Sequence, residues 1–264
     1  MIGIILKAGL CNQLFMLFAG ISYALDNKMD YFIYPTLIAK NYFSNFFKSI
    51  ESKVNSNASL DKYDKYDESC YHYTDIPNKN DIVIEGFFQT DKYFKKNYDV
   101  LLELFKIREH QNHFKQVYNC NKLIAMHFRI GDYYNLQYYH PIVNVDYYIN
   151  ALEYLKTKIN INEYKIMIFC QKSDEPIVFN NYINIINKNN EYTFVKTNDI
   201  EDYDELILMS LCDHFIIANS TFSWFGAYLC NNPNKNVCYP TKWFGEGHQK
   251  NQTHDLFPEG WIKI

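Results

Sequence analysis

From Leu123 onward the chain alternates short apolar runs with amphipathic runs of helical length, and this alternation limits the fold more than any other feature. Leu123 to Met126, Lys165 to Phe169, Tyr192 to Val195, Phe215 to Ala218 and Val237 to Tyr239 read as buried strands. Tyr147 to Lys156, Tyr203 to Leu211 and Phe222 to Leu229 read as the helices between them, with an ill-defined linker after Phe169. Strands joined through helices run parallel, because a parallel neighbour needs a long crossover. Residues 118–264 are therefore expected to form a Rossmann-like α/β domain.

Residues 1–117 open in a similar way, with a strand at Ile2 to Leu6 and a loop at Lys7 to Asn12. A helical run follows whose Leu14, Phe15, Leu17, Phe18 and Ile21 share one broad face. A second strand is expected at Tyr31 to Ile33, another at Ile82 to Ile84, and a helix near Tyr98 to Phe105. Between them, residues 40–80 turn polar and irregular, with Asp/Lys/Tyr alternation over Asp61 to Asp67, and read as an insertion or mobile surface. This half is expected to be a second, less regular α/β domain. There is no G-x-G-x-x-G fingerprint, which argues against a dehydrogenase.

Charge and cysteine content narrow the classes further. With 26 basic and 30 acidic residues the net charge is −4, so no nucleic-acid partner is expected. The seven cysteines form no C-x-x-C pair and no Cys/His cluster at ligand spacing, which fits a reducing compartment and no metal. No run reaches the roughly 18 apolar residues of a membrane span. The expectation is a cytoplasmic protein, soluble or peripheral to a membrane.

Of the 26 basic residues only Arg108 and Arg129 are arginine, while Tyr numbers 24, the bias expected of AT-rich coding DNA. Lysine replaces arginine at little cost on a surface, but not where a planar five-donor fork grips an oxyanion. A surviving arginine in this chain is thus a pointer to function. Arg129 stands in His127-Phe-Arg-Ile-Gly-Asp-Tyr133, at the end of the first strand of the second half, where open α/β sheets bind ligands. A diphosphate would suit it; an interface carboxylate is the plainer partner. His127 reads equally as a half-buried hydrogen-bonded residue, and Asp132 as an orienter of Arg129, a turn cap or a proton acceptor.

Two other segments follow apolar strands. In Ala218-Asn-Ser-Thr-Phe-Ser-Trp-Phe-Gly226, Asn219, Ser220 and Thr221 are N-cap types, and the helix they start would aim free N–H groups at an anion or be simply capped. In Lys7-Ala-Gly-Leu-Cys-Asn-Gln-Leu-Phe15, Gly9 would allow close approach of a ligand, with Asn12 and Gln13 as amide donors; a tight turn explains the same residues.

Together with Gly86-Phe-Phe-Gln-Thr-Asp-Lys-Tyr-Phe94, these segments resemble, in order and spacing, the motifs of glycosyltransferase family eleven, the α-1,2-fucosyltransferases. The family patterns are G-G-L-G-N-Q-L/M-F, G-Y-x-Q-S-x-K-Y-F, H-x-R-R-G-D-Y and S-N-S-T/S-F-S-W-W. The resemblance implies an α/β, GT-B-like fold of two facing Rossmann-type domains, with the acceptor on the N-terminal side. It further implies a sugar-nucleotide donor, GDP-fucose in the family, a glycan acceptor, inversion at the anomeric carbon and no metal. By position, Arg129 would clamp the diphosphate, with Asn219, Ser220, Thr221 and Phe222 beside it and Gly9, Asn12 and Gln13 facing the donor. Arg129, Asp132 and His127 are the catalytic candidates.

The chain departs from the pattern at Ala8 and Cys11, where the family has glycines, and at Ile130, where it has a second arginine. Cys170 and Gln171 stand where many members have an acidic pair. A binding module without turnover, and a metal-dependent transferase using Asp202 and Asp204, are the competing readings. Acidic residues opening a helix are, however, already accounted for by the helix dipole.

Overall fold

The computed structural model describes residues 1–196, 199–248 and 251–264. The chain divides into unit 1, Met1–His110 with Asn251–Pro258, and unit 2, Gln111–Lys250 with Glu259–Ile264.

In unit 1, β1 (Ile2–Ala8) leads through a tight loop into α1 (Leu10–Asp26). The helix is apolar around its whole circumference, burying Gln13, Met16 and Ser22 as well as the expected face; a helix of that kind belongs inside a core. Gly20 lets it lie close on the sheet, since a Cβ there would fall 2.6 Å from Ile4 Cγ1. Next come β2 (Tyr31–Ala39), β3 (Asp64–Asp67), β4 (Ile82–Glu85) and α2 (Tyr98–Leu104). The four strands form a parallel sheet in the order β2-β1-β4-β3. The order reverses between β1 and β4, and the loops leaving those two strands share one edge.

The stretch read from sequence as insertion or mobile surface carries structure. Tyr42, Phe43, Phe46, Phe47 and Ile50 are buried, and the Phe47 ring lies 5.7 Å from Phe105. Removing such a ring costs about 3–5 kcal/mol. The same stretch supplies β3, whose charged residues leave it mostly exposed at the sheet edge. α3 (Ile107–Val117) follows, and the division between the units falls inside it.

Unit 2 contains β5 (Leu123–His127), α4 (Val145–Lys156), β6 (Lys165–Phe169), α5 (Glu175–Val178), α6 (Asn184–Ile186) and β7 (Thr193–Lys196). A π-helical turn, Phe179–Ile183, joins α5 to α6. Then come α7 (Asp202–Met209), β8 (His214–Ile216), α8 (Thr221–Leu229), β9 (Val237–Tyr239) and β10 (Ile262–Lys263). All strand pairs are parallel, in the order β10-β9-β8-β5-β6-β7. Counted from β5 as the first strand, this is the doubly wound dinucleotide-fold order, with its switch point between β5 and β8. β5 is buried along its whole length, as a central parallel strand should be. Among the described residues, no helix is long and apolar enough to cross a membrane.

Candidate functional site

Ligands of open α/β sheets lie outside the carboxyl ends of the strands at the switch point. In unit 2 that crevice is framed by the residues that leave β5 and β8, which pair as Met126 with Ile216. Past β5 the strand's two-residue alternation persists. Phe128 and Ile130 turn into the core, Phe128 stacking 4.4 Å from the Tyr148 ring. Arg129 stays partly accessible, its side chain 27 % exposed. Ile130, at the position of the family's second arginine, is a core residue.

Arg129 Nη2 lies 2.9 Å from Asp132 Oδ1 and 2.9 Å from Oδ2. Its guanidinium also sits 5.5 Å from the centre of the Tyr133 ring. The Tyr133 hydroxyl donates to the carbonyl of Asn219 at 2.9 Å, tying the loop after β5 to the loop after β8. Burial pushes the Tyr133 phenol up to about 12, so it remains a donor at neutral pH. Gly131 closes the turn: its N–H donates to Asp174 Oδ2 at 2.8 Å, and a Cβ would fall 2.1 Å from Gln171 Oε1.

Ser220 caps α8, its Oγ accepting from Phe222 N at 3.3 Å. Thr221 opens the helix at the partly accessible surface, and the Phe222 ring lies 5.6 Å from the imidazole of His127. His127 is buried, with Nδ1 2.9 Å from Ser223 Oγ and its carbonyl accepting from the Tyr148 hydroxyl at 3.0 Å. Burial, helped by the charge of Arg129, brings the imidazole down to about 3. It is held neutral by its burial, and its contacts fix α8 against β5. Asn219 is also interior: Nδ2 donates to the carbonyls of Pro141 at 2.9 Å and Trp243 at 3.1 Å, which occupies both of its amide N–H groups. Asp202 and Asp204 stand in the first turn of α7 with Glu205.

In unit 1, the loops after β1 and β4 meet where Gln89 Nε2 donates to Asn12 Oδ1 at 3.0 Å. Gln13 is fully buried, and its Nε2 donates to the carbonyls of Ala8 and Lys40, each at 2.8 Å. Its amide shapes the loop instead of facing outward. Gly9 precedes α1 with an ordinary φ of −87°, and a Cβ there would meet nothing within 4 Å. The left-handed position is instead Ala8, at φ 65°.

Sequence reasoning missed Tyr133, Ser223, Asp174 and Glu68. Tyr133 and Ser223 stand inside the motifs, but tyrosine is too common in this chain to signal anything, and serine is an ordinary cap. Glu68 directly follows the charge-alternating stretch and carries no signal.

The profile of glycosyl transferase family 11 matches residues 12–264. An α-1,2-colitosyltransferase of Escherichia coli is 32 % identical over 193 residues, covering 70 % of this chain and 63 % of that protein. The O-antigen biosynthesis glycosyltransferase WbnK of Escherichia coli is 30 % identical over 201 residues, covering 70 % of this chain and 62 % of that protein. The chain thus spans less than two thirds of the length of these relatives. Among solved structures, an arginine-to-lysine mutant of Arabidopsis thaliana FUT1 in complex with GDP aligns with a TM-score of 0.50 at 11 % identity, over 99 % of this chain and 75 % of that one. The likeness is one of fold, and with its two parallel sheets this chain has the α/β, GT-B-like fold expected from its sequence.

Proposed function

Because the chain belongs to glycosyl transferase family 11, we propose that it transfers fucose or a related 6-deoxy sugar from a nucleoside diphosphate donor, GDP-fucose foremost, to a hydroxyl of a glycan acceptor, inverting the anomeric carbon and forming an α-1,2 linkage. One observation carries the reading: the partly accessible guanidinium of Arg129 and the N-terminus of α8 are bound together at the switch point of unit 2 by Tyr133, His127 and Ser223. A colitosyltransferase among the relatives supports a deoxy-sugar donor.

In this reaction the acceptor oxygen forms its bond to the anomeric carbon as the bond from that carbon to the diphosphate breaks. Negative charge grows on the departing phosphate. Preorganised donors aimed at that charge lower the barrier, and here they are the fork of Arg129 and the first N–H groups of α8. Asp132 holds the fork until the diphosphate takes its place. With His127 enclosed and made a weaker base by burial, Asp132 is the residue of the motif better placed to receive the acceptor proton. The charge stabilisation is supplied by the protein, so turnover is expected to persist in EDTA; strict manganese dependence would return attention to Asp202 and Asp204.

A melting-temperature screen tests the donor assignment, because a ligand that binds the native state raises apparent stability. GDP and GDP-fucose are expected to raise the melting temperature and UDP to leave it unchanged. No shift with any nucleotide would remove the proposal. The burial of Ile130 favours one second reading, a site that binds donor without transfer; a GDP-fucose shift with no GDP release across a mixed acceptor panel would select it.

A further inference from the structure

In unit 1, β3 ends at Asp67 and β4 at Glu85, and the residues that follow them, with Lys7 and Asn251, enclose a pocket of about 260 Å³. Its carboxylates differ in kind. Glu85 lies between two ammonium groups, 3.4 Å from Lys7 Nζ and 3.2 Å from Lys65 Nζ. Asp67 lies 3.3 Å from Lys65 Nζ. Glu68 makes no ion pair among the described residues; its Oε2 accepts from Phe87 N at 2.6 Å and Phe88 N at 2.9 Å, which leaves Oε1 without a protein partner.

The backbone is arranged around this one side chain. Phe88 adopts a φ of 50°, a left-handed conformation that costs an ordinary residue about 1–2 kcal/mol, and there two successive N–H groups converge on one carboxylate oxygen. Gly86 admits the contact, since a Cβ would fall 2.4 Å from Glu68 Cβ. Burial raises the Glu68 carboxyl above its usual range, against the opposing pull of the two amides and of Lys7. A carboxylate held this way has lost its freedom before any ligand arrives, which lowers the cost of binding.

The rest of the wall includes Ser69 and Cys70, which hydrogen-bond locally, a pair of aromatic rings with Lys7 Nζ 4.9 Å from the Phe87 centroid, and an amide. The rings of Tyr71 and Phe87 lie 6.3 Å apart and within 20° of parallel. Asn251 Nδ2 is enclosed and has no hydrogen-bond partner among the described residues. A hydroxyl donates, so it can satisfy the lone carboxylate oxygen of Glu68. Aromatic faces pack against the C–H faces of a pyranose. A phosphate would be repelled by the two glutamates, and the volume falls below the roughly 300–1,000 Å³ of pockets for drug-sized ligands. A neutral polyol ring is the ligand that fits.

We infer that this pocket binds one saccharide ring of the acceptor, with a ring hydroxyl donating to Glu68 Oε1 and the sugar face against Tyr71 and Phe87. The inference specifies the acceptor side of the function proposed above and rests on that reading. Calorimetric titration of the full chain with methyl β-D-galactopyranoside and methyl β-D-glucopyranoside tests it, with GDP melting shifts measured in parallel. At least one hexoside should bind the wild type. Glu68→Gln keeps an oxygen for the two amides but removes the charge, and should weaken that binding about tenfold; Tyr71→Ala should weaken it as well. The GDP shift should be the same in both variants. Failure of both hexosides to bind, or undiminished binding in Glu68→Gln, overturns the site; if that variant does not fold, undiminished binding in Tyr71→Ala does so. Loss of the GDP shift in the wild type with hexoside binding intact would instead overturn the donor assignment and leave this pocket standing.

Discussion

Arg129 meets the two oxygens of Asp132 through one nitrogen, which leaves the rest of its fork for a ligand, and its guanidinium lies 5.5 Å from the Tyr133 ring centre. Arg129→Lys keeps a positive charge but loses the fork, so kcat/KM should fall by about 10²–10³ while the melting temperature holds. Near-normal turnover in that variant would remove Arg129 from the centre of the chemistry. Arg108 is the control: it pairs with Asp99 at a largely exposed position, where ion pairs are worth about 0–1 kcal/mol. Arg108→Lys should be silent in both assays. Ala8 offers a stability test at the same scale. The left-handed φ costs a residue with a Cβ about 1–2 kcal/mol, and the loop is held there by hydrogen bonds from Gln13 Nε2 and Lys40 N to the Ala8 carbonyl. Ala8→Gly relieves the strain but loosens the unfolded chain, for a net gain of about 0.5–1 kcal/mol in denaturant unfolding. A loss of stability would show that the methyl group is doing something the backbone angle does not reveal.

Helix α8 joins stability to the site, because the residue that caps it also sets the direction of its free N–H groups. Ser220→Ala removes the Oγ that accepts from Phe222 N and should cost about 1 kcal/mol. It should also shrink the GDP-induced melting shift, whereas a cap with no part in binding would lower stability and leave the shift intact. The position of α8 was readable because an apolar strand, a run of N-cap residues and an apolar helix follow one another without a break. β6 and β9 were legible to the residue for the same reason. β3 was not, since an edge strand of Asp and Lys carries no hydrophobic alternation, and the buried Phe43, Phe46, Phe47 and Ile50, although spaced i, i+3, i+4, i+7, open a stretch that is otherwise polar. In the candidate site, the positions of Arg129 just past β5 and of Ser220 at the cap of α8 were readable from sequence. The sequence could not tell that the amides of Gln13 and Asn219 are spent on carbonyls, because direction within a loop depends on partners far along the chain.

At the scale of the whole molecule, the histidines whose titration the fold shifts are unevenly shared between the units, and so are the probes that report on them. His127, His140 and His214 all lie in unit 2, and burial is the leading cause that lowers each of them below the usual imidazole value. A histidine held neutral by the fold leaves the unfolded chain binding more protons, so its contribution is complete above about pH 6.5 and is lost as the pH falls toward its folded value. For His127, brought down to about 3, that window runs through the mildly acidic range, with a slope of about 1.4 kcal/mol per pH unit. Of the carboxylates with lowered values, Asp26, Asp30, Glu85 and Asp255 belong to unit 1 and Glu163 and Glu191 to unit 2, and all begin to matter only near pH 4. Glu68, raised by burial, acts in the opposite sense and favours unit 1 as the pH drops toward its folded value. Acidification from pH 7 to pH 5 should therefore weaken unit 2 first. The three tryptophans, Trp224, Trp243 and Trp261, are all in unit 2, so their fluorescence follows that unit alone. The fluorescence-detected melting temperature should fall across this range, and His127→Asn should flatten its slope. A fluorescence melt that does not move between pH 7 and pH 5 would show that His127 is hydrated or protonated in the native state, and would return it to the set of groups able to exchange a proton with substrate.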